Sequence, residues 1–279
     1  MFTRTGGGAS DTTARGARRP TVPPHTVPVT TTCTQYGGRG DRDTPRRLLE
    51  RADAVLLDFD GPVCDLFGGA CTAYIADEVK ERARHEWGRL DPRVEACADS
   101  HGVLRHLADM AVRRPGGRRG TRLDWADRIV TRHEYAAVLE AAPTPGASEL
   151  VGELAQLGKT LLIVTNNAEG PVREYLERRN LLGHFTAVLG RDPHDPRLMK
   201  PHPDVVDRAL AELGGPHPSR TLLIGDQLTD LAAAESAKVP FLGLTRHEGT
   251  AARMRHRGAR SVVSSFEPLM RALSPPLTH

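Results

Sequence analysis

A chain of 279 residues, 39% apolar and 26% charged, can bury the core of one sizeable domain with an insertion, or of two modest ones. Aromatics make up only 4%, so aliphatic side chains must supply most of that core. The formal charge of +3 sits in the first 47 residues, which carry eight Arg against three Asp, so the near-neutral remainder argues against a nucleic-acid-binding surface.

No run approaches the roughly 18 apolar residues of a membrane span, which argues against a membrane partner. The start, Met1 to Gly8, lacks the apolar stretch of a secretory signal. Cys33, Cys64, Cys71 and Cys97 form neither a CxxC pair nor a disulfide framework, so reduced thiols in the cytoplasm are expected.

Residues 1–46 are rich in Thr, Pro, Gly and Arg without apolar periodicity. Such a stretch cannot offset its ordering entropy, and a disordered basic tail is expected. A short helix over 45–52 leads into Ala54-Val55-Leu56-Leu57, then Asp58-Phe59-Asp60-Gly61. Four apolar residues ending in a Gly-terminated polar turn read as a fully buried parallel strand. Weaker helical patterning fills roughly 66–141, broken by the Arg/Gly/Pro-rich loop 113–120.

Regular alternation resumes after Pro143-Thr144-Pro145-Gly146. The pattern predicts helices at 147–157, 171–179, 204–213 and 228–236, with strands at 160–165, 185–189, 221–224 and 239–242. Strands separated by helices of this length argue for an α/β fold, a parallel sheet covered on both faces. Gly152 to Thr160 resembles a phosphate-binding loop, but five residues separate its glycines and it runs from helix to strand, the reverse of the required order.

Ligands of such sheets sit beyond the carboxyl ends of the strands. The first strand ends at Asp58 and Asp60, the second at Thr165 and Asn166, and the fourth at Asp226 with Asp230 behind it; Lys200 lies between the third and fourth. Carboxylate oxygens suit a hard cation such as Mg²⁺, which readily accepts a phosphate oxygen. A carboxylate beside a phosphoryl group can attack phosphorus. Lysine would stabilise the transferring charge, and a second aspartate two residues on could protonate the leaving oxygen and later activate water. Phe59 would point the other way on an extended chain.

Asp58-Phe59-Asp60-Gly61, Thr165-Asn166, Lys200-Pro201 and Gly225-Asp226-Gln227-Leu228-Thr229-Asp230 resemble, in order, the four motifs of the haloacid dehalogenase superfamily. Pro145-Gly146 and Leu198-Met199-Lys200-Pro201-His202-Pro203 are similar to its phosphoglycolate-phosphatase-like branch. The resemblance implies a Rossmann-like core over 47–65 and 143–279 and a helical cap over 66–142. It implies Asp58 as nucleophile, Asp60 as general acid/base, and Thr165 and Asn166 as holders of the phosphoryl group. Lys200 would stabilise the nucleophile and the transition state. Mg²⁺ would be held by Asp58, the main-chain carbonyl of Asp60 and Asp226, with Asp230 in support. The expected activity is hydrolysis of a small phosphomonoester through an aspartyl-phosphate.

A phosphomutase would use the same motif residues, whereas a non-catalytic binding protein on this scaffold would be expected to lose Asp58, Asp60 or Lys200. Two positions depart from the family pattern: Pro62 replaces the common Thr, and Lys238 stands where relatives often have Gly. His202 is a candidate substrate contact, and the arginines from 113 to 122 a candidate anion-binding loop or a solvated one. Substrate identity and oligomeric state have no signal in the sequence.

Overall fold

Why the β-strands are apolar on both faces is clear once the helices are placed around them. The computed structural model describes residues 45–68, 71–113, 123–215 and 217–273. Six parallel strands form the sheet: β1 (Ala54–Leu57), β4 (Thr160–Val164), β5 (Phe185–Leu189), β6 (Thr221–Gly225), β7 (Phe241–Leu244) and β8 (Val262–Val263), in the order β5-β4-β1-β6-β7-β8. Side chains alternate across the sheet. Val55, Leu57, Leu161, Ile163, Leu222 and Ile224 enter one hydrophobic cluster, and Leu56, Leu162 and Leu223 enter another.

The first cluster is covered by α1 (Pro45–Arg51), α6 (Ala147–Gln156), α7 (Glu169–Arg178) and α11 (Glu267–Leu273). The second is covered by α8 (Asp204–Glu212), α9 (Leu228–Ser236) and α10 (Glu248–His256). This is the α/β doubly covered parallel sheet that the sequence pattern predicts.

Among the described residues, four helices lie between β1 and β4: α2 (Ala73–Trp87), α3 (Pro92–Glu95), α4 (Ser100–Arg113) and α5 (Asp124–Glu140). They close around a third cluster that includes Ile75, Val79, Leu104, Leu107 and Val130, with Trp87 and Trp125 edge to face at 6.2 Å. Chain entry and exit are tied by a short antiparallel pair, β2 (Cys64–Asp65) with β3 (Ala142–Pro143).

The structure corrects several boundaries. α1 begins at Pro45, where the helix expected over 45–52 starts, so the expected tail drawn to 46 overlaps it by two residues; residues 1–44 lie outside the described residues. The last predicted strand begins at Phe241 rather than 239. The Val239 N–H is committed to the carbonyl of Ala234 at the end of α9, and Pro240 has no N–H, so neither can join the ladder as donor. α7 begins at Glu169, two residues early, which places Pro171 in the first turn where its missing N–H has no partner to lose. The sequence pattern missed β2, β3, β8, α10 and α11.

Lys238 carries φ 60°, the left-handed backbone that glycine adopts freely. Its departure from the family pattern is therefore a local strain. Lys238→Gly is expected to stabilise the fold by up to about 1 kcal/mol, once the greater chain entropy of glycine is deducted. A lower midpoint in urea for the variant would refute this.

Candidate active site

The carboxyl ends of β1, β4 and β6 converge on one cleft of about 1130 Å³ that takes its floor from the sheet and one wall from α4. Asp58 continues β1: its N–H donates to the Ile224 carbonyl at 2.9 Å, so the sheet fixes its backbone. Its Oδ1 accepts from the Phe59 N–H at 2.7 Å. The Phe59 side chain points into the core and meets Tyr175 edge to face at 5.3 Å, as the alternation requires. Asp60 turns its Oδ1 to the Leu66 N–H at 2.9 Å. Between them and β2, Gly61 has φ 101°, and a Cβ there would lie 2.4 Å from Cγ of Asp226. Only glycine lets this turn pass so close to the carboxylate.

Lys200 is 1% exposed, and its ammonium reaches three oxygens: Asp230 Oδ1 at 2.6 Å, Asp58 Oδ1 at 2.9 Å and the Val164 carbonyl at 3.0 Å. Burial opposes its charge, but Asp230 and Asp58 outweigh it and push the lysine pKa up. Asp230 sits in the first turn of α9, where its Oδ2 accepts the Gln227 N–H at 2.9 Å. Thr165 Oγ1 donates to Asn167 Oδ1 at 2.9 Å. Asn166 spends both ends of its amide on the Lys200 backbone, accepting from the N–H at 2.7 Å and donating to the carbonyl at 3.1 Å. In this structure the Asn166 side chain clamps Lys200.

Oxygens of Asp58, Asp226 and Asp230 lie within 4.8 Å of one another. The Asp60 carboxylate is not in this group, and the metal role expected for Asp60 rests on its main-chain carbonyl. Lys200 pairs with the buried Asp58 and Asp230, and the half-buried Asp226 adds a third carboxylate. Asp226 Oδ1 is buried without a hydrogen-bond partner. Burial first, then Asp230, Asp58 and Asp60, drive the Asp226 pKa up to about 8. Burial also raises Asp58 to about 7, opposed by Lys200 and reinforced by Asp230. A cluster that holds excess negative charge and an unpartnered carboxylate oxygen fits a hard divalent cation.

The sequence model of the haloacid dehalogenase-like hydrolases matches residues 52–238. The chain belongs to that family. Among curated relatives, it is 31% identical over 152 residues to a phosphoglycolate phosphatase of Agrobacterium fabrum, a match covering 51% of this chain and 64% of that one. It is 37% identical over 130 residues to a phosphoglycolate phosphatase of Rhodospirillum rubrum, covering 43% and 53%. These matches span less than two thirds of the relatives' own length. Among solved structures, CbbY of Rhodobacter sphaeroides in complex with phosphate aligns at TM-score 0.52 and 22% identity over 80% of this chain and 99% of that one. A haloacid dehalogenase-like family hydrolase of Streptococcus pneumoniae aligns at TM-score 0.52 and 18% identity, over 80% and 97%. These two likenesses establish the fold. Among the described residues, no helix is long and apolar enough to cross a membrane.

On this haloacid dehalogenase-like core, other expected contacts fall elsewhere. The His202 ring accepts the Asp204 N–H at 3.2 Å, shaping the turn into α8. Arg113 pairs with Asp91 at 3.0 Å, and Arg114, Arg118, Arg119 and Arg122 lie outside the described residues.

Four residues near the site escaped the sequence reading: His101, Glu134, Asn167 and Arg191. His101 lines the cleft from α4, as does Arg105 one turn later. Arg191 follows β5 and pairs with Asp127 at 2.6 Å and Glu134 at 2.7 Å. A signal existed. Asp127 and Glu134 fall on the same face of α5 as Ala126, Val130 and Val138, and charges on a buried stripe demand partners.

Proposed function

We propose that this protein is a Mg²⁺-dependent phosphatase that hydrolyses a small phosphomonoester through an aspartyl-phosphate on Asp58. The observation that carries the reading is the buried Lys200 ammonium joining Asp58 to Asp230, beside an Asp226 carboxylate with an unpartnered oxygen. Asp58, the Asp60 main-chain carbonyl and Asp226 would hold Mg²⁺, with Asp230 in support, and the bound ion would offset the carboxylate charge and polarise a phosphate oxygen.

The chain's own groups supply the rest. Lys200 and the Phe59 N–H fix the Asp58 carboxylate, which attacks phosphorus as the ester oxygen departs. Asp60 protonates that oxygen. Burial raises its pKa, which favours the protonated form needed for this step. Once deprotonated, Asp60 takes a proton from water as the water attacks the phosphoryl group, releasing inorganic phosphate and restoring Asp58. The Asn166 main chain would hold a phosphoryl oxygen, and Thr165 would join it by turning its hydroxyl proton from Asn167 Oδ1 to the phosphate.

Residues 66–142 are proposed as the cap over a core of 47–65 and 143–279. The cleft also carries Arg105, Arg246, His101 and His247, which suits an anionic leaving group. Phosphoglycolate, named for the relatives above, is the first compound to test. Cys64, Cys71 and Cys97 are unpaired thiols, which suits the reducing cytoplasm as the place of action.

The test is phosphate release across phosphomonoesters, phosphoglycolate and sugar phosphates included, with Mg²⁺ and with chelator. Mg²⁺-dependent release supports the reading. Isomerisation of a sugar phosphate without release would replace it with mutase activity, and inertness toward all compounds would refute it.

The raised carboxyl groups also set a pH dependence. Without metal, folded Asp58 and Asp226 keep protons that the unfolded chain loses near 3.8. Their contribution is fully present below that value and is lost as pH rises toward about 7 and about 8. The metal-free protein is therefore expected to melt at lower temperature at pH 8 than at pH 5, with Mg²⁺ raising the midpoint more at pH 8. An equal Mg²⁺ shift at both values would contradict this.

A further inference from the structure

The chemistry proposed above uses no residue of α5, yet that helix encloses a carboxylate completely. Glu134 is 0% exposed. Burial would favour its protonated form, but Arg191 and His101 hold it ionised, with a pKa lowered to about 2. Arg191 Nη1 lies 2.7 Å from Glu134 Oε1, and His101 Nε2 lies 3.0 Å from the same oxygen. The Arg191 fork is completed by Asp127 at 2.6 Å, the Thr131 hydroxyl at 2.7 Å and the Asn166 carbonyl at 3.2 Å.

Glu134 then reaches the loop that follows β4. Its Oε1 accepts from Asn167 Nδ2 at 3.1 Å, and its Oε2 from the Ala168 N–H at 3.0 Å. An ionised carboxylate can only accept, so Asn167 must turn its NH₂ toward Glu134 and its Oδ1 away. That Oδ1 receives the Thr165 hydroxyl at 2.9 Å, and the Asn167 N–H donates back to the hydroxyl oxygen at 3.2 Å. Asn167, oriented from α5, thus places Thr165 Oγ1, and its N–H still holds that oxygen when the hydroxyl turns its proton to a phosphoryl oxygen. Arg191 meanwhile holds the Asn166 carbonyl. Each of residues 165–168 is tied, directly or through Asn167, to the buried pair.

We propose that Glu134 and Arg191 are positioning residues: by fixing Thr165 to Ala168 they let the helical insert complete the phosphate site, which the sheet alone would leave loose. This rests on the phosphatase reading above.

The experiment compares the full-length wild type with Glu134→Gln, Asn167→Ala and, as control, Arg132→Ala. Gln fills the space of Glu134 but can donate or accept, so it no longer dictates the Asn167 orientation. Asn167→Ala removes the link and leaves the Glu134–Arg191 pair intact. Arg132, also on α5, forms an exposed pair with Glu78 of α2 and should keep the wild-type rate. Steady-state rates are measured on the best phosphomonoester, with inhibition by vanadate and by inorganic phosphate, and with melting curves.

The expected result is a kcat lowered by about 10- to 100-fold in Glu134→Gln and Asn167→Ala, the scale of a small misplacement of reacting groups. KM should stay within about threefold, and vanadate, a mimic of pentacoordinate phosphorus, should weaken in parallel with kcat while inorganic phosphate changes less. A purely structural pair would lower the melting point and leave kcat and vanadate affinity of the folded protein unchanged, which overturns the inference. If Glu134→Gln does not fold, Asn167→Ala decides by the same criteria. A wild type that releases no phosphate overturns the phosphatase reading and this inference together.

Discussion

Asp58→Asn is expected to lower phosphate release by at least about 10⁴-fold while leaving the fold intact. Asn keeps the volume of Asp58 and an oxygen to accept the Phe59 N–H, so the β1 turn has no reason to move. It lacks the anionic oxygen that attacks phosphorus, and no other carboxylate can take its place. Asp60 is turned toward Leu66, Asp226 is bonded through Oδ2 to the Gln227 side chain, and Asp230 is held by Lys200 and the Gln227 N–H. Because burial already disfavours the Asp58 charge, the metal-free variant should melt no lower than wild type. Phosphate release and circular dichroism on the same preparation check both statements. A folded variant within tenfold of the wild-type rate would remove Asp58 from the chemistry.

Lys200→Met has the second largest expected effect, and it acts on stability as well as rate. The side chain is 1% exposed and its ammonium contacts Asp58 at 2.9 Å and Asp230 at 2.6 Å. Methionine fills similar space but leaves two buried carboxylates uncompensated. Breaking a buried pair in this way costs about 3–5 kcal/mol, less whatever protonation of the carboxylates recovers. The rate should fall by about 10²- to 10³-fold, the scale seen when one preorganised charge or donor is removed from a transition state. Added Mg²⁺ should recover part of the stability and little of the rate, because the cation offsets Asp58 without replacing the lysine beside it. Melting curves and kinetics with and without Mg²⁺ test this, and a variant with wild-type kcat would contradict it.

Most of the sheet and the convergence of the site were legible in the sequence because both rest on short-range patterns. β1, β4 and β6 carry apolar runs that lead into polar residues, and that ending is also where Asp58, Thr165 and Asp226 stand. The order of four motifs carried the rest. What stayed hidden depends on contacts distant in sequence or on backbone too short to show a period. β2, β3 and β8 are two residues each, too short for alternation to register. The start of β7 was misplaced because the last turn of α9 claims the Val239 N–H, which no residue pattern states. The family resemblance implies Asn166 as a holder of the phosphoryl group, yet its side chain is bound to Lys200, 34 residues away. Glu134 and Arg191 are 57 residues apart, and although the apolar stripe of α5 marks Glu134 as needing a partner, no short-range pattern names Arg191. Their pairing emerges only when α5 packs beside the loops that follow β4 and β5.

The most direct test of the central claim is to quench the wild type in acid within milliseconds of mixing with Mg²⁺ and its best phosphomonoester, then map phosphorylated peptides by mass spectrometry. The account predicts a phosphoryl group on the peptide bearing Asp58, labile to hydroxylamine as an acyl phosphate, and absent from Asp58→Asn. Rapid phosphate release with no covalent phosphate at Asp58 at any quench time, or with the phosphoryl group on another residue, would contradict it.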